Sequence, residues 1–93
     1  MTDHFDQSDV SRRLRDAVIR AGDHGLPVGE VLGFTTLVYV GESAVAFEDL
    51  CTQLYEHEIV LPLPEIEELE SLGRLLNVDD EYARMLRENT ASQ

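Results

Sequence analysis

The sequence predicts an all-α fold, a small antiparallel bundle of four to five short helices. Three observations predict it. Apolar residues recur at helical spacing along most of the 93 residues. Turn signals at His24-Gly25-Leu26-Pro27, Gly41-Glu42-Ser43 and Pro62 to Pro64 divide the chain into short segments. Only Phe34 to Val40 and Ile59 to Leu63 read as strands, and two short strands make a marginal sheet. A hydrophobic content of 43% is ordinary for a folded chain, and this length suits one domain spanning residues 1–93.

Residues 1–7 are expected to form a flexible leader and residues 89–93 a frayed tail. Ser8 suits an N-cap, with Asp9 complementing the helix dipole. Val10, Leu14, Ala17, Val18 and Ala21 then follow helical spacing, and Gly22 closes the first helix. Arg12, Arg13, Arg15 and Arg20 take its other faces, with Asp16 spaced to pair with Arg20. Pro27 suits the first position of a second helix. Across residues 27–40, Glu30, Val31, Phe34 and Val38 fit a helix, while the β-branched run from Phe34 reads equally as a strand. Helix is favoured because a strand there would lack a sheet to join. Ser43 is placed to cap a third helix, in which Phe47, Leu50, Cys51 and Leu54 form a buried stripe. Pro64 starts a fourth with Ile66, Leu69, Leu72 and Leu76 inward, and Glu70 spaced to pair with Arg74. Asn77 and Val78 interrupt it, and Asp79 caps a short last helix bearing Tyr82, Met85 and Leu86.

Charge is distributed unevenly. Between Ala21 and Gly73 lie eleven acids and no Lys or Arg: Asp23, Glu30, Glu42, Glu48, Asp49, Glu56, Glu58, Glu65, Glu67, Glu68 and Glu70. The chain has 19 acids and 7 bases, all Arg, so the rest nearly cancels and most of the net charge of −12 sits in this segment. Like charges repel in a compact state, so such an excess fits a surface that meets a basic partner. It argues against direct contact with nucleic acid, which needs Lys or Arg to displace counterions. No apolar run reaches the length of a membrane span, and the polar start lacks a secretory pattern. The single cysteine, Cys51, suits a reducing interior, so a cytoplasmic location is expected.

No catalytic residue, metal ligand or cofactor is expected. His4, His24 and His57 have no partner at metal-ligand spacing, and Cys51 stands alone on an apolar face. Asp79-Asp80-Glu81 lacks the alternating oxygens and central Gly of a calcium loop. Gly22, Gly25, Gly29 and Gly33 do not follow a buried strand, as a phosphate-binding loop would require. Among so many acids nothing marks two as a catalytic pair, and a small bundle rarely encloses a pocket that would tune them. Glu65, Glu67 and Glu68 lie where they stabilise the start of the fourth helix whatever the function. Glu42, Glu48, Asp49, Glu56 and Glu58 have no such explanation. With Gln53, Tyr55 and Tyr39 they form the candidate partner-binding set, because tyrosine beside carboxylates combines a rigid anchor with acceptors for Arg and Lys.

The stretch Gly41-Glu42-Ser43-Ala44-Val45-Ala46-Phe47-Glu48-Asp49-Leu50-Cys51, continuing Thr52-Gln53-Leu54-Tyr55-Glu56, resembles the central motif of MafI-type immunity proteins. These are small acidic proteins of polymorphic or contact-dependent toxin systems. The resemblance continues through the connector Ile59 to Leu63, the helix from Glu65 to Gly73 and the closing segment Asp79 to Leu86, covering residues 41–86. Phe47 stands where the family pattern has a smaller aliphatic residue, and the arginine-rich first helix has no counterpart in it. The resemblance implies tight binding to a cognate toxin domain, often a nuclease with a basic substrate face. The expected mechanism is an acidic face of the third and fourth helices docking on that face.

Two other readings compete. Gly41-Glu42-Ser43-Ala44 is placed like the Asp-Ser-Leu attachment site of an acyl-carrier-like domain, with Ser43 as the modified residue, although Glu replaces Asp and Ala replaces Leu. A helical adaptor or regulator that binds another protein, with no toxin involved, fits the same surface.

Overall fold

The computed structural model describes residues 3–91, with side chains from 9 to 89. Regular structure among them is all helix: α1 (Asp3–Asp23), α2 (Val28–Tyr39), α3 (Ser43–Glu56), α4 (Leu63–Leu75), and a fifth helix interrupted at Met85 into α5 (Glu81–Arg84) and α6 (Leu86–Ala91). α1 and α2 form a helical hairpin, and α3 packs against both. α4 lies against α1, and α5 and α6 bridge α3 and α4. The fold is the small α-bundle that the periodicity predicts.

Each helix buries the stripe its spacing marks. Leu14 and Val18 from α1, Phe47, Leu50 and Leu54 from α3, Ile66 and Leu72 from α4, and Leu86 from α6 are sealed from solvent. Phe34 and Val38 of α2, one turn apart, close the core from the hairpin side. The ambiguous run 27–40 is therefore helix from Val28 to Tyr39, with Pro27 and Val40 as its caps, and α2 stays helical despite its β-branched content. The hydroxyls of Thr35 and Thr36 donate to the carbonyls of Val31 and Leu32, staying within the helix rather than competing with it. The other strand-like run is an extended strap. Ile59 and Leu61 point into the core while Glu58, Val60 and Pro62 face out, so its alternation reflects burial without a paired strand.

Several boundaries differ from those expected. α1 starts at Asp3 instead of Ser8, so residues 3–7 belong to the helix. Ser8 has Ser11 three residues on, not the Glu or Gln that completes a capping box, so its stop signal is weak. Helix continues to Ala91, through the first part of the expected tail. Pro27 occupies the cap of α2 and not its first turn, and Glu42 takes the cap of α3, which puts Ser43 inside the helix. Neither cap makes a side-chain bond. Asp79 does act at the last helix, accepting a 2.9 Å hydrogen bond from the Glu81 N–H. Asn77, at φ 62°, turns the chain out of α4, and the Val78 N–H closes on the Gly73 carbonyl at 2.9 Å.

One contact ties α3 to α4. The Phe47 ring fills the space above Gly73, where an added Cβ would lie 3.0 Å from Cζ and 3.2 Å from Cε2. The ring is fully buried and cannot move into solvent, so Gly73→Ala should destabilise the fold by about 1–3 kcal/mol through overpacking. Adding Phe47→Leu should recover part of that loss, because the shorter side chain vacates the space. Urea unfolding of the three chains measures both effects.

Candidate functional site

The inward stripe of α3 fixes which of its residues face solvent. Glu42, Asp49 and Glu56 recur every seven residues, so they form a row on the outer side, spaced about 10 Å apart along the axis. All three are exposed, and Glu58 continues the charge beyond the helix end. Glu48 is half-buried and lies about 100° round the helix from Asp49, on the flank that carries Tyr55. Gln53 and Tyr55 lie on opposite flanks of the helix, 200° apart by helical geometry at 100° per residue and hence not on one face. Tyr39, at the end of α2, is 83% exposed beside the start of α3. Tyr55 lies near the other end, about 18 Å further along by helical rise. The eight candidate residues thus run the length of α3 but wrap around its exposed side, Glu42, Asp49, Gln53 and Glu56 on one flank and Glu48 and Tyr55 on the other, so this broad strip has an aromatic ring near each end but no single face carries the whole set.

None of the five acids on or beside α3 has a basic partner within 4.0 Å among the described residues. α4 is different. Arg13 of α1 donates from Nε and Nη2 to the two oxygens of Glu68, both at 2.9 Å. Arg87 of α6 grips Glu70 in the same way, at 2.6 and 2.8 Å. His24 lies 3.2 Å from Glu65. The expected Glu70–Arg74 pair is therefore replaced by one with Arg87, because the last helix folds back over α4. In α1, Asp9 engages Arg12 and Arg13, and the expected Asp16–Arg20 pair does not form. Of the α4 acids, Glu67 stays exposed with no such partner, and the acids on and beside α3 form the largest group without ion pairs among the described residues, ahead of Asp79, Asp80 and Glu81 before the last helix.

The local chemistry follows these partners. The Arg13 hydrogen bond holds the Glu68 carboxyl below the ordinary carboxylate range, with partial burial acting the other way. Arg87 does the same for Glu70. The Tyr55 hydroxyl donates to Glu88 Oε1 at 3.0 Å, and that bond, followed by the Glu88 charge, raises the phenol above its usual value. Burial pushes the Cys51 thiol up, which keeps it neutral in the core. No group of three or more His, Cys, Asp or Glu gathers at metal-ligand distance among the described residues, and no described helix is long and apolar enough to cross a membrane. Ser43 is half-buried and lines an open groove of about 650 Å³ between the start of α3 and the end of α4, with Asp9, Arg13 and Leu75.

Glu88, Arg13 and Arg87 are the residues that sequence reasoning missed here. Their partners lie 33, 55 and 17 residues away, beyond any spacing rule. Comparison with protein-family models, curated proteins and solved structures finds no match for this chain.

Two measurements check these assignments. Replacing Glu68 by Gln should cost about 1 kcal/mol at neutral pH, the scale of a partly exposed but bidentate pair. Because the folded carboxyl is depressed, that contribution is complete above the unfolded value near 4.5 and fades as pH falls through the lower folded value. The difference between Glu68→Gln and the parent chain should therefore shrink progressively as pH is lowered below 4.5 in denaturant titrations. Glu88→Gln should return the Tyr55 phenol toward its ordinary range, seen as an earlier tyrosinate transition in the ultraviolet while the other tyrosines are unchanged.

Proposed function

We propose that this chain is an immunity protein of the MafI type, which binds and neutralises a cognate toxin domain and performs no chemistry of its own. The observation that carries this reading is the exposed row Glu42, Asp49 and Glu56, with Glu48 and Glu58 beside it, none of them neutralised among the described residues. A monomer gains nothing from concentrating like charge along one helix, whereas a basic enzyme cleft would be matched by it. The internal pairing of Glu65, Glu68 and Glu70 narrows the docking face from α3 and α4 together to α3 itself.

In this mechanism long-range attraction speeds encounter with the toxin in the cytoplasm, and the acids then occupy positions that its substrate would take. A nuclease fits best, since its substrate face must be basic. Tyr39 and Tyr55 supply the apolar anchors at the two ends of the strip. Tyr55 enters with its hydroxyl already held by Glu88, so its contribution is the ring edge more than a free donor.

The groove beside Ser43 favours one alternative, an acyl-carrier-like domain with a prosthetic arm on that hydroxyl. Incubation with a phosphopantetheinyl transferase and coenzyme A, followed by mass measurement, separates the readings: a mass gain on Ser43 would overturn the immunity proposal.

The direct test pairs the chain with the toxin domain encoded beside it. Glu48→Lys/Asp49→Lys/Glu56→Lys should slow association roughly 10- to 1000-fold at low salt and flatten its salt dependence. Circular dichroism should show the helices unchanged, because all three positions lie outside the core. Unaltered association kinetics in the triple variant would remove α3 as the binding face.

A further inference from the structure

α2 is mostly apolar, yet one side of it lies at the surface. Its single charged residue is Glu30, which is half-buried toward the flank. The outward side presents Val28, Leu32 and Tyr39 at 74, 62 and 83% exposure, with Val40 at 61% just past the helix end. Val28, Leu32, Thr36 and Tyr39 share one stripe by their spacing, and Gly29 and Gly33 lie beside it. On a chain of net charge −12, this stripe carries no ionised group.

Packing inside the monomer does not require a glycine at position 29, in the first turn of α2, or at position 33, in its interior. Gly is unfavourable in a helix interior relative to Ala, so its presence there calls for a reason. Gly22 has one, since a Cβ would lie 3.0 Å from Val31 Cγ2, and Gly73 has one beneath Phe47. Gly29 and Gly33 face open space, with nothing within 4 Å of where a Cβ would stand. A pair of exposed glycines four residues apart forms a shallow trough in which another helix backbone can lie close.

We propose that this side of α2 packs against α2 of a second copy about a twofold axis, making the protein a homodimer. Charge selects the occupant. Two copies of this acidic chain repel over most of their surfaces, and here they meet on a stripe that carries no ionised group, with opposite charges at its rim, whereas a basic partner is better matched by α3. Four large apolar side chains more than half exposed on one short helix and its C-cap, Val28, Leu32, Tyr39 and Val40, give the pairing an apolar centre, and the small size of the face points to a modest, concentration-dependent dimer. The rim agrees with this arrangement. α1 packs alongside α2 in a hairpin, which places Arg15 level with the Tyr39 end and Asp23 level with the Val28 end. Both are exposed and have no ion pair within the described residues. A twofold that reverses α2 brings Arg15 of each copy toward Asp23 of the other.

Sedimentation equilibrium on the full chain tests this, starting at about 200 µM so that mass action favours association. The expected mass is twice the 10.5 kDa of one chain. Raising salt should tighten the dimer by screening the net repulsion, the opposite of its effect on binding to a basic protein. Leu32→Glu places two carboxylates near the axis and should give a single-copy mass with unchanged circular dichroism. Gly29→Ala/Gly33→Ala should raise the melting temperature of the dilute monomer yet weaken the dimer at least tenfold, because the added methyl groups fill the trough. A single-copy mass for the parent chain overturns the proposal, as does a dimer that survives Leu32→Glu or is as tight with both alanines.

Discussion

The chain keeps its bases at its two ends, in residues 12–20 and 74–87, and eleven of its acids between them, and this separation governs how the bundle closes. An acidic middle segment can be relieved only if the ends return to it. They return to α4: Arg13 arrives from α1 and Arg87 from α6, each meeting a Glu with two hydrogen bonds. Partly exposed pairs of this kind add little stability singly. Their consequence is directional, because they turn α4 into the neutralised helix and leave α3 without cations. The lopsided charge of the sequence thus becomes a lopsided charge on the folded surface.

Packing enforces the same division. The Phe47 ring would have to shift if α4 carried a side chain at position 73, so the two positions together set how closely α3 approaches α4. With that contact fixed, the inner stripe of α3 is committed to the core, and its acids must face water. α2 completes the hairpin with Phe34 and Val38 inward, but two buried anchors do not use up the apolar content of twelve residues. The remainder stays outside, where it forms an uncharged face next to the charged one.

The helices themselves were legible, because burial at i, i+3, i+4 and i+7 is written directly into the residue order. The choice between helix and strand for residues 27–40 was decided by the absence of a sheet, and the burial of Phe34 and Val38 one turn apart agrees with it. What could not be read was which charges would meet. Spacing rules see only one turn ahead, so they offered Arg74 to Glu70 and Arg20 to Asp16, while the folded chain brought Arg87 to Glu70 from 17 residues away. The candidate strip shows the same limit. Its acids were identifiable as uncompensated, but the bond from Tyr55 to Glu88 depends on how α6 lies across α3. The size of the buried side chain at Phe47 makes sense only once Gly73 is seen beneath it. Periodicity does not mark the exposed face of α2, because its outer residues are as apolar as its inner ones.

The two faces respond to opposite physics, and this allows them to be tested apart. Attraction through α3 is Coulombic and weakens as salt screens it, while contact through α2 is apolar and opposed by net repulsion, so screening strengthens it. Tyr39 lies at the border, at the end of the α2 stripe and beside the cap of α3, so its replacement would disturb both faces and distinguish nothing. Leu32 and Glu56 each belong to one face alone. A chain in which Leu32→Glu abolishes self-association but leaves binding to a basic partner intact would establish that the faces are separate. Loss of both together would mean that pairing of two copies is needed to assemble a sufficiently negative surface.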